Sequence, residues 1–288
     1  MKKATLIILI AFIVSSCGQA RKQQAEIAII SEVEQNISVT PSIKFDWGKV
    51  IALKNSTIEE LKKKEKSEDK IIMNFLNKYS KLADDFSDIL FNNENYDHFN
   101  TLILDYYSGD KNATPPALEF KNEIETNGFN LEQSEGMIYI AQNTDFIKSE
   151  ILSLVDAISK EFINLYCNEL DNRCCEDAGI IISTEELVNR VYKWGELSKK
   201  VSRLEYKNHV EDEFYSNLSL LFFGIDNTPA FDWETKKYNS KAIDLMNKMI
   251  EKNPTSRATE KFKPFIELLE SEDFEKTEKI KNYWESEK

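Results

Sequence analysis

Cys167, Cys174 and Cys175 lie within one short stretch and are the residues whose type and spacing most directly suggest chemistry. In an oxidising compartment a bridge from Cys167 to Cys174 or Cys175 would close a small loop and contribute about 2–3 kcal/mol, with one thiol left over. A redox-active vicinal pair or an intermolecular bridge is the functional alternative to that staple. Zinc needs ligands that converge tetrahedrally from paired Cys and His motifs, and Cys-x6-Cys-Cys without a neighbouring His does not supply them. No metal and no cofactor are expected.

The chain has two histidines, His98 and His209, each set among carboxylates and aromatics. Either has the chemistry of a general base, although ordinary surface or core roles are the default. No His-Glu-x-x-His, Gly-x-Ser-x-Gly, Gly-x-Gly-x-x-Gly or Walker loop is present, so metalloprotease, α/β-hydrolase and nucleotide-binding readings lose their usual support. Ser67 and Lys70 have the Ser-x-x-Lys spacing of penicillin-recognising enzymes, and Tyr215-Ser216-Asn217 imitates their second motif. The Lys-Thr-Gly element is missing, and Ser67 sits in a charged stretch that cannot desolvate a lysine. Carboxylate pairs such as Glu132 and Glu135, or Glu211, Asp212 and Glu213, could serve glycan hydrolysis only if they faced one another across about 5–9.5 Å. With 50 acidic residues, sequence cannot select such a pair. The regular calcium loop is also missing.

Two loops carry contact chemistry. Gly224 to Trp233 combines turn residues with large aromatics, so Asp226, Asn227, Phe231 and Trp233 form a candidate partner-contact loop. The competing role for such aromatics is to plug the loop onto the core. The turn Ser134-Glu135-Gly136 lies beside Tyr139.

The elements that must position these residues are mainly helical. Of 288 residues only 8 are Gly and 6 Pro, which disfavours turn-rich β folds, and 41% are hydrophobic, enough for a core. A net charge of −13 opposes any phosphate-backbone partner, so no nucleic acid is expected. Thr57-Ile58-Glu59-Glu60 reads as a capping box opening a helix. After the charged run Leu61 to Lys70, apolar residues from Ile72 to Leu90 recur at helical spacing. A shorter helix spans Tyr96 to Tyr107. Gly128 to Gln142 reads as a β-hairpin, and Phe146 to Tyr166 as one long amphipathic helix. Ser183-Thr184-Glu185-Glu186 caps another helix, Gly224 closes the helix through Phe214 and Phe222, and three more are expected near 240–252, 256–270 and 274–286. A tetratricopeptide pattern laid on Lys241 to Glu270 fits poorly, and no repeat period emerges. The expected fold class is mainly α, a helical bundle or irregular helical array of about seven or eight helices with one small β-hairpin.

The N-terminus has a basic Met1-Lys2-Lys3, an apolar run from Ala4 to Val14, and then Ser15-Ser16-Cys17. That order is the layout of a secretory signal peptide, and the apolar run falls short of the roughly 20 residues needed to span a bilayer. Val14-Ser15-Ser16-Cys17 resembles the bacterial lipobox. The resemblance implies cleavage before Cys17, acylation of its thiol including palmitate, and attachment to a membrane through the lipid. Gly18 in place of Asp implies the outer membrane, facing the periplasm. Loss of residues 1–16 removes Lys2 and Lys3 and takes the net charge from −13 to −15. The expected organisation is a signal peptide at 1–16, a lipidated N-terminus and tether at 17–56, and a helical globular domain at 57–288. The expected function is a non-enzymatic envelope binding or scaffold lipoprotein with a protein or envelope partner. The alternatives are an inhibitor or immunity lipoprotein that neutralises a basic toxin or lytic enzyme, and an envelope-glycan hydrolase with unassigned carboxylates.

Overall fold

Apolar side chains at every third or fourth position, with few glycines or prolines between them, give the backbone more to bury as helix than as strand. In a computed structural model, which describes residues 43–107, 115–201 and 205–287, the chain is accordingly mainly α-helical. Eleven helices occur among the described residues: α1 (Trp47–Lys63), α2 (Glu68–Phe91), α3 (Tyr96–Tyr107), α4 (Pro115–Thr126), α5 (Thr144–Ile151), α6 (Ala157–Asp171), α7 (Thr184–Ser198), α8 (Lys207–Phe223), α9 (Ser240–Lys252), α10 (Arg257–Ser271) and α11 (Glu278–Glu287). The hairpin β1 (Phe129–Ser134) and β2 (Met137–Gln142) turns at Glu135 and Gly136, both at positive φ as a two-residue turn requires. Two further ladders of two residues per strand, β3 (Cys175–Glu176) with β4 (Gly179–Ile180) and β5 (Gly224–Ile225) with β6 (Thr228–Pro229), were not expected.

The described residues divide into two compact units, 43–44 with 93–107 and 115–120, and 45–92 with 121–201 and 205–287. In the first, Phe99 meets Phe120 edge-on at 4.5 Å and Ile103 is buried. In the second, α2 lays Tyr79 and Phe86 against the hairpin, Tyr79 stacking on Phe129 at 4.8 Å and Phe86 meeting it edge-on at 5.4 Å. Ser87 clamps the strand, since its Oγ accepts from the Ile140 amide (2.9 Å) and donates to the Ile140 carbonyl (3.1 Å). Farther along, Phe162 of α6 stacks on Tyr206 at 4.2 Å, and Phe222 of α8 stacks on Phe265 of α10 at 3.7 Å.

Three local expectations are corrected. Residues 47–56, assigned to the tether, are helical, because Trp47 packs on Phe86 (5.1 Å) and its indole donates to Glu123 (2.9 Å), anchoring a helix start ten residues before the capping box. Thr57 sits inside α1, where its hydroxyl donates back to the Leu53 carbonyl at 2.8 Å. The run from Leu61 breaks at Lys64, which adopts φ 54°, so α1 and α2 are separate. The long helix expected from Phe146 to Tyr166 is interrupted by a 3-10 turn at Leu152–Leu154, and α6 restarts with Asp156 accepting from the Ser159 amide at 2.8 Å. Apolar periodicity ran through that break because both helices bury the same kind of residue.

Candidate functional site: a buried ion-pair cluster and an exposed tryptophan turn

The α7 face that carries Leu187, Val191 and Trp194 also carries Arg190, which is only 1% exposed. Its guanidinium donates to Glu169 through Nη1, to the Asn172 carbonyl through Nη2 (2.5 Å) and to Glu186 through Nε (3.3 Å). Glu169 on α6 also accepts from the Trp194 indole at 2.9 Å. One buried cation therefore ties α6, the loop after it and α7 together. The i, i+3, i+4, i+7 run of Leu187, Arg190, Val191 and Trp194 is the sequence signal that places Arg190 on the buried face.

Beside this cluster α8 presents His209 and Glu213. The imidazole is boxed by Phe162 (5.5 Å), Tyr166 (5.6 Å) and Trp194 (6.0 Å), and burial lowers its pKa, which favours the neutral ring. Glu213 Oε1 lies 3.9 Å from His209 Nε2. Burial and then the nearby Glu169 charge push Glu213 up to about 7. Burial also pushes Glu169 up, against the Trp194 hydrogen bond and the Arg190 charge. A carboxylic acid poised near neutrality beside a neutral imidazole is acid–base equipment by type. None of the three cavities described below is lined by Glu169, His209 or Glu213.

The pH dependence of stability follows from these directions. A carboxyl raised from 4.5 to about 7 on folding contributes stability that is full below pH 4.5 and lost as pH rises through 7. His209, lowered from 6.5, contributes stability that is full above pH 6.5 and lost as pH falls through its folded pKa. Glu213→Gln should therefore stabilise the fold by about 1–2 kcal/mol at pH 8, after allowance for partial exposure, and by almost nothing at pH 4.5. Urea midpoints at the two pH values check this. A variant equally shifted at both pH values shows that Glu213 is not the titrating group.

The cysteine expectation is overturned: Cys167, Cys174 and Cys175 are all free thiols, and no disulfide joins them. Cys167 is wholly buried on α6, with Lys148, Asp171 and Asp145 as the charges around it, whereas Cys174 interacts first with Cys175 and then with the charges of Arg190 and Glu169. Burial pushes both Cys167 and Cys174 up to about 12, so neither is a ready thiolate. The expectation of a membrane protein is corrected for the described residues: no helix among them is long and apolar enough to cross a membrane. Cys17 and the lipobox lie outside the described residues, as does the His98 side chain. Among the described residues, no group of three or more His, Cys, Asp or Glu could hold a metal ion.

Two of the other acids singled out from sequence, Glu132 and Glu211, are engaged. Glu132 takes the Arg173 guanidinium at 2.9 Å, and Arg173 donates to the Tyr139 hydroxyl at 2.6 Å. Glu211 forms a two-point pair with Arg257 at 2.7 and 2.6 Å. Ser67 donates to Asp69 at 2.5 Å and does not pair with Lys70, whose ammonium faces Glu205 at 3.3 Å.

The contact-loop residues separate into two roles. Phe231 is buried, 3% exposed, and edges onto Tyr238 at 5.1 Å, so it plugs the loop. Asn227 locks the two small ladders together, its amide donating to the Ala178 carbonyl (2.9 Å) and its side chain to the Asp177 carbonyl (2.6 Å). Asp226 is exposed at that turn. Trp233 is 67% exposed, the most exposed large hydrophobic side chain among those described. Its turn is built: Asp232 Oδ1 accepts from the Glu234 amide (3.1 Å), the Thr235 amide (2.7 Å) and the Thr235 hydroxyl (2.9 Å), while the Asp232 amide donates to the Lys237 carbonyl (2.9 Å). Those hydrogen bonds, led by the Thr235 amide, hold the Asp232 carboxyl below its usual range. Lys236 lies over the indole at 6.0 Å.

Three concave features complete the surface. A small apolar cavity of about 80 Å³ lies between α7, α8 and the β5–β6 turn, lined by Leu187, Leu221 and Ala242. A groove of about 520 Å³ runs between α2 and β2, from Ser80 and Phe91 to Tyr139 and Gln142. Another, of about 590 Å³, separates α6 from α7, with Leu165 and Tyr192 beside Lys160 and Lys193.

Fold and surface together define a mainly α-helical protein with a buried ion-pair core and a displayed aromatic turn. Compared with protein-family models, curated proteins and solved structures, the chain matches none.

Proposed function

We propose that the chain is an exported, lipid-anchored binding or scaffold protein of a bacterial envelope, acylated on Cys17, attached to the outer membrane on its periplasmic side, and engaging a protein or envelope partner without turnover. The anchoring part of this reading rests on the Val14-Ser15-Ser16-Cys17 resemblance. The binding part is carried by one observation, the Trp233 indole left two-thirds exposed on a turn held by four hydrogen bonds around Asp232. A rigid exposed tryptophan loses little conformational entropy on docking and can bury a large apolar area, which is the behaviour of an interface anchor. The acid–base groups that an enzyme would use sit instead at a helix junction, where Glu169 is tied to Arg190 and Trp194 and Glu213 lies beside His209.

Cys17→Ala should move the full-length protein from the membrane to the soluble fraction. In that soluble background Trp233→Ala should weaken retention on immobilised, detergent-solubilised envelope proteins by about tenfold or more and leave the thermal midpoint in place. Phe231→Ala, by contrast, should lower the midpoint. Membrane fractionation unchanged by Cys17→Ala overturns the anchor, and retention unchanged by Trp233→Ala overturns the contact turn.

A further inference from the structure

The groove between α6 and α7 has a charge opposite in sign to that of the chain. Lys160, Lys193 and Lys200 line it together with Glu161 and Glu196. Lys200 neutralises Glu161 through contacts at 2.8 and 2.7 Å, and Lys199 neutralises Glu196 at 2.8 Å. Lys160 and Lys193, both exposed, make no ion pair among the described residues. What an incoming ligand meets is therefore a pair of uncompensated ammonium groups on a protein of net charge −13. Between them lie Ala157, Leu165 and the half-buried Tyr192, an apolar strip bounded by two helices.

We infer that this groove docks an acidic amphipathic helix of a partner protein, whose carboxylates meet Lys160 and Lys193 while an apolar side chain enters over Leu165. Charge complementarity selects the sign. The two flanking helices favour an elongated occupant, as helix-in-groove recognition uses apolar anchors at helical spacing with charges beside them. A small carboxylate is a poorer match, because such ligands are bound where most of their surface is enclosed, and this trough is open along its length. Nucleic acid needs many phosphate contacts, which two free lysines on an acidic chain do not supply. Anionic lipid surfaces attract clusters of about four to eight basic residues, again more than the groove holds. The site is separate from the Trp233 turn, and its success or failure leaves the proposal for that turn untouched.

The test uses full-length Cys17→Ala protein and two fluorescent designed helices of roughly 20 residues, identical in their leucines but carrying Glu or Lys on the flanks. Anisotropy titrations at low salt should show the acidic helix binding at least about tenfold more tightly than the basic one. Lys160→Glu with Lys193→Glu should abolish or invert that preference. Ala157→Trp, which fills the trough without changing charge, should weaken the acidic helix by a similar factor while circular dichroism stays unchanged. Equal binding of both helices, no binding of the acidic helix, or insensitivity to the lysine reversal overturns the inference.

Discussion

Arg190→Ala should lower the stability of the protein by about 3–5 kcal/mol at neutral pH, among the largest losses available to a single side chain here. The arginine is buried, and its removal strands three acceptors: Glu169, Glu186 and the Asn172 carbonyl. Glu186 turns to water because it is partly exposed, but Glu169 retains only the Trp194 indole against a carboxylate already pushed up by burial. Most of the cost is the unpaired charge left behind, not the worth of the pair. Two consequences separate this account from simple loss of packing. The folded pKa of Glu169 should rise further above its unfolded value, so the defect should shrink as the pH is lowered and the carboxyl takes up a proton. Removing both charges, as in Arg190→Met with Glu169→Met, should recover more than half of the single-variant loss, because the apolar side chains fill the space and strand no charge. Urea denaturation at pH 7 and pH 4.5 measures both effects. A loss below about 1 kcal/mol, or one that does not change with pH, contradicts the central place given to this ion pair.

Gly224→Ala should cost about 3 kcal/mol or more, and the reason is purely geometric. Gly224 ends α8 at φ 69° and ψ −162°, a conformation that side-chain-bearing residues almost never adopt. A Cβ there would lie 2.2 Å from the Thr228 carbonyl oxygen, 2.5 Å from the Ala230 nitrogen and 2.7 Å from the Pro229 Cα. All three are backbone atoms, two of them in the strand that pairs with Gly224 and one in the residue just after it, so no rotamer change relieves the overlap and β6 must move. Gly136 is the matched control. It also has positive φ, 78°, but a Cβ would find nothing within 4 Å, so Gly136→Ala should cost only about 1 kcal/mol of local strain. Thermal melts of the two variants side by side give the comparison, and equal midpoints contradict the account. Displacement of β6 should also disturb Phe231 and the Trp233 turn, so Gly224→Ala should lose partner retention along with stability.

A good part of the fold could be read directly from the chain because it depends on neighbours in sequence. The hairpin at Phe129–Gln142 rests on alternation and a two-residue turn, α7 on the Ser183 cap, whose Oγ accepts from the Glu186 amide at 3.1 Å, and the end of α8 on Gly224. The reading of Thr57 as a helix start failed for a reason that local sequence cannot register, namely that Trp47 packs against Phe86 and Glu123 far along the chain. The break at Leu152–Leu154 leaves no mark in the sequence because a 3-10 turn keeps apolar residues at nearly helical spacing.

For the site, the chain alone determined the residue inventory and its local placement: a lipobox-like Val14-Ser15-Ser16-Cys17, three clustered thiols, an aromatic loop, and acids too numerous to rank. Only the tertiary structure decided which of them matter and how. It left Cys167 and Cys174 as free thiols, buried Phe231 while leaving Trp233 out, brought Arg190 onto Glu169 across 21 positions of sequence, and set Lys160 and Lys193 along one trough. Burial and long-range pairing set the desolvation and the charge that each of these groups feels. Those quantities depend on which helices meet, and the spacing of residues along one helix leaves that open.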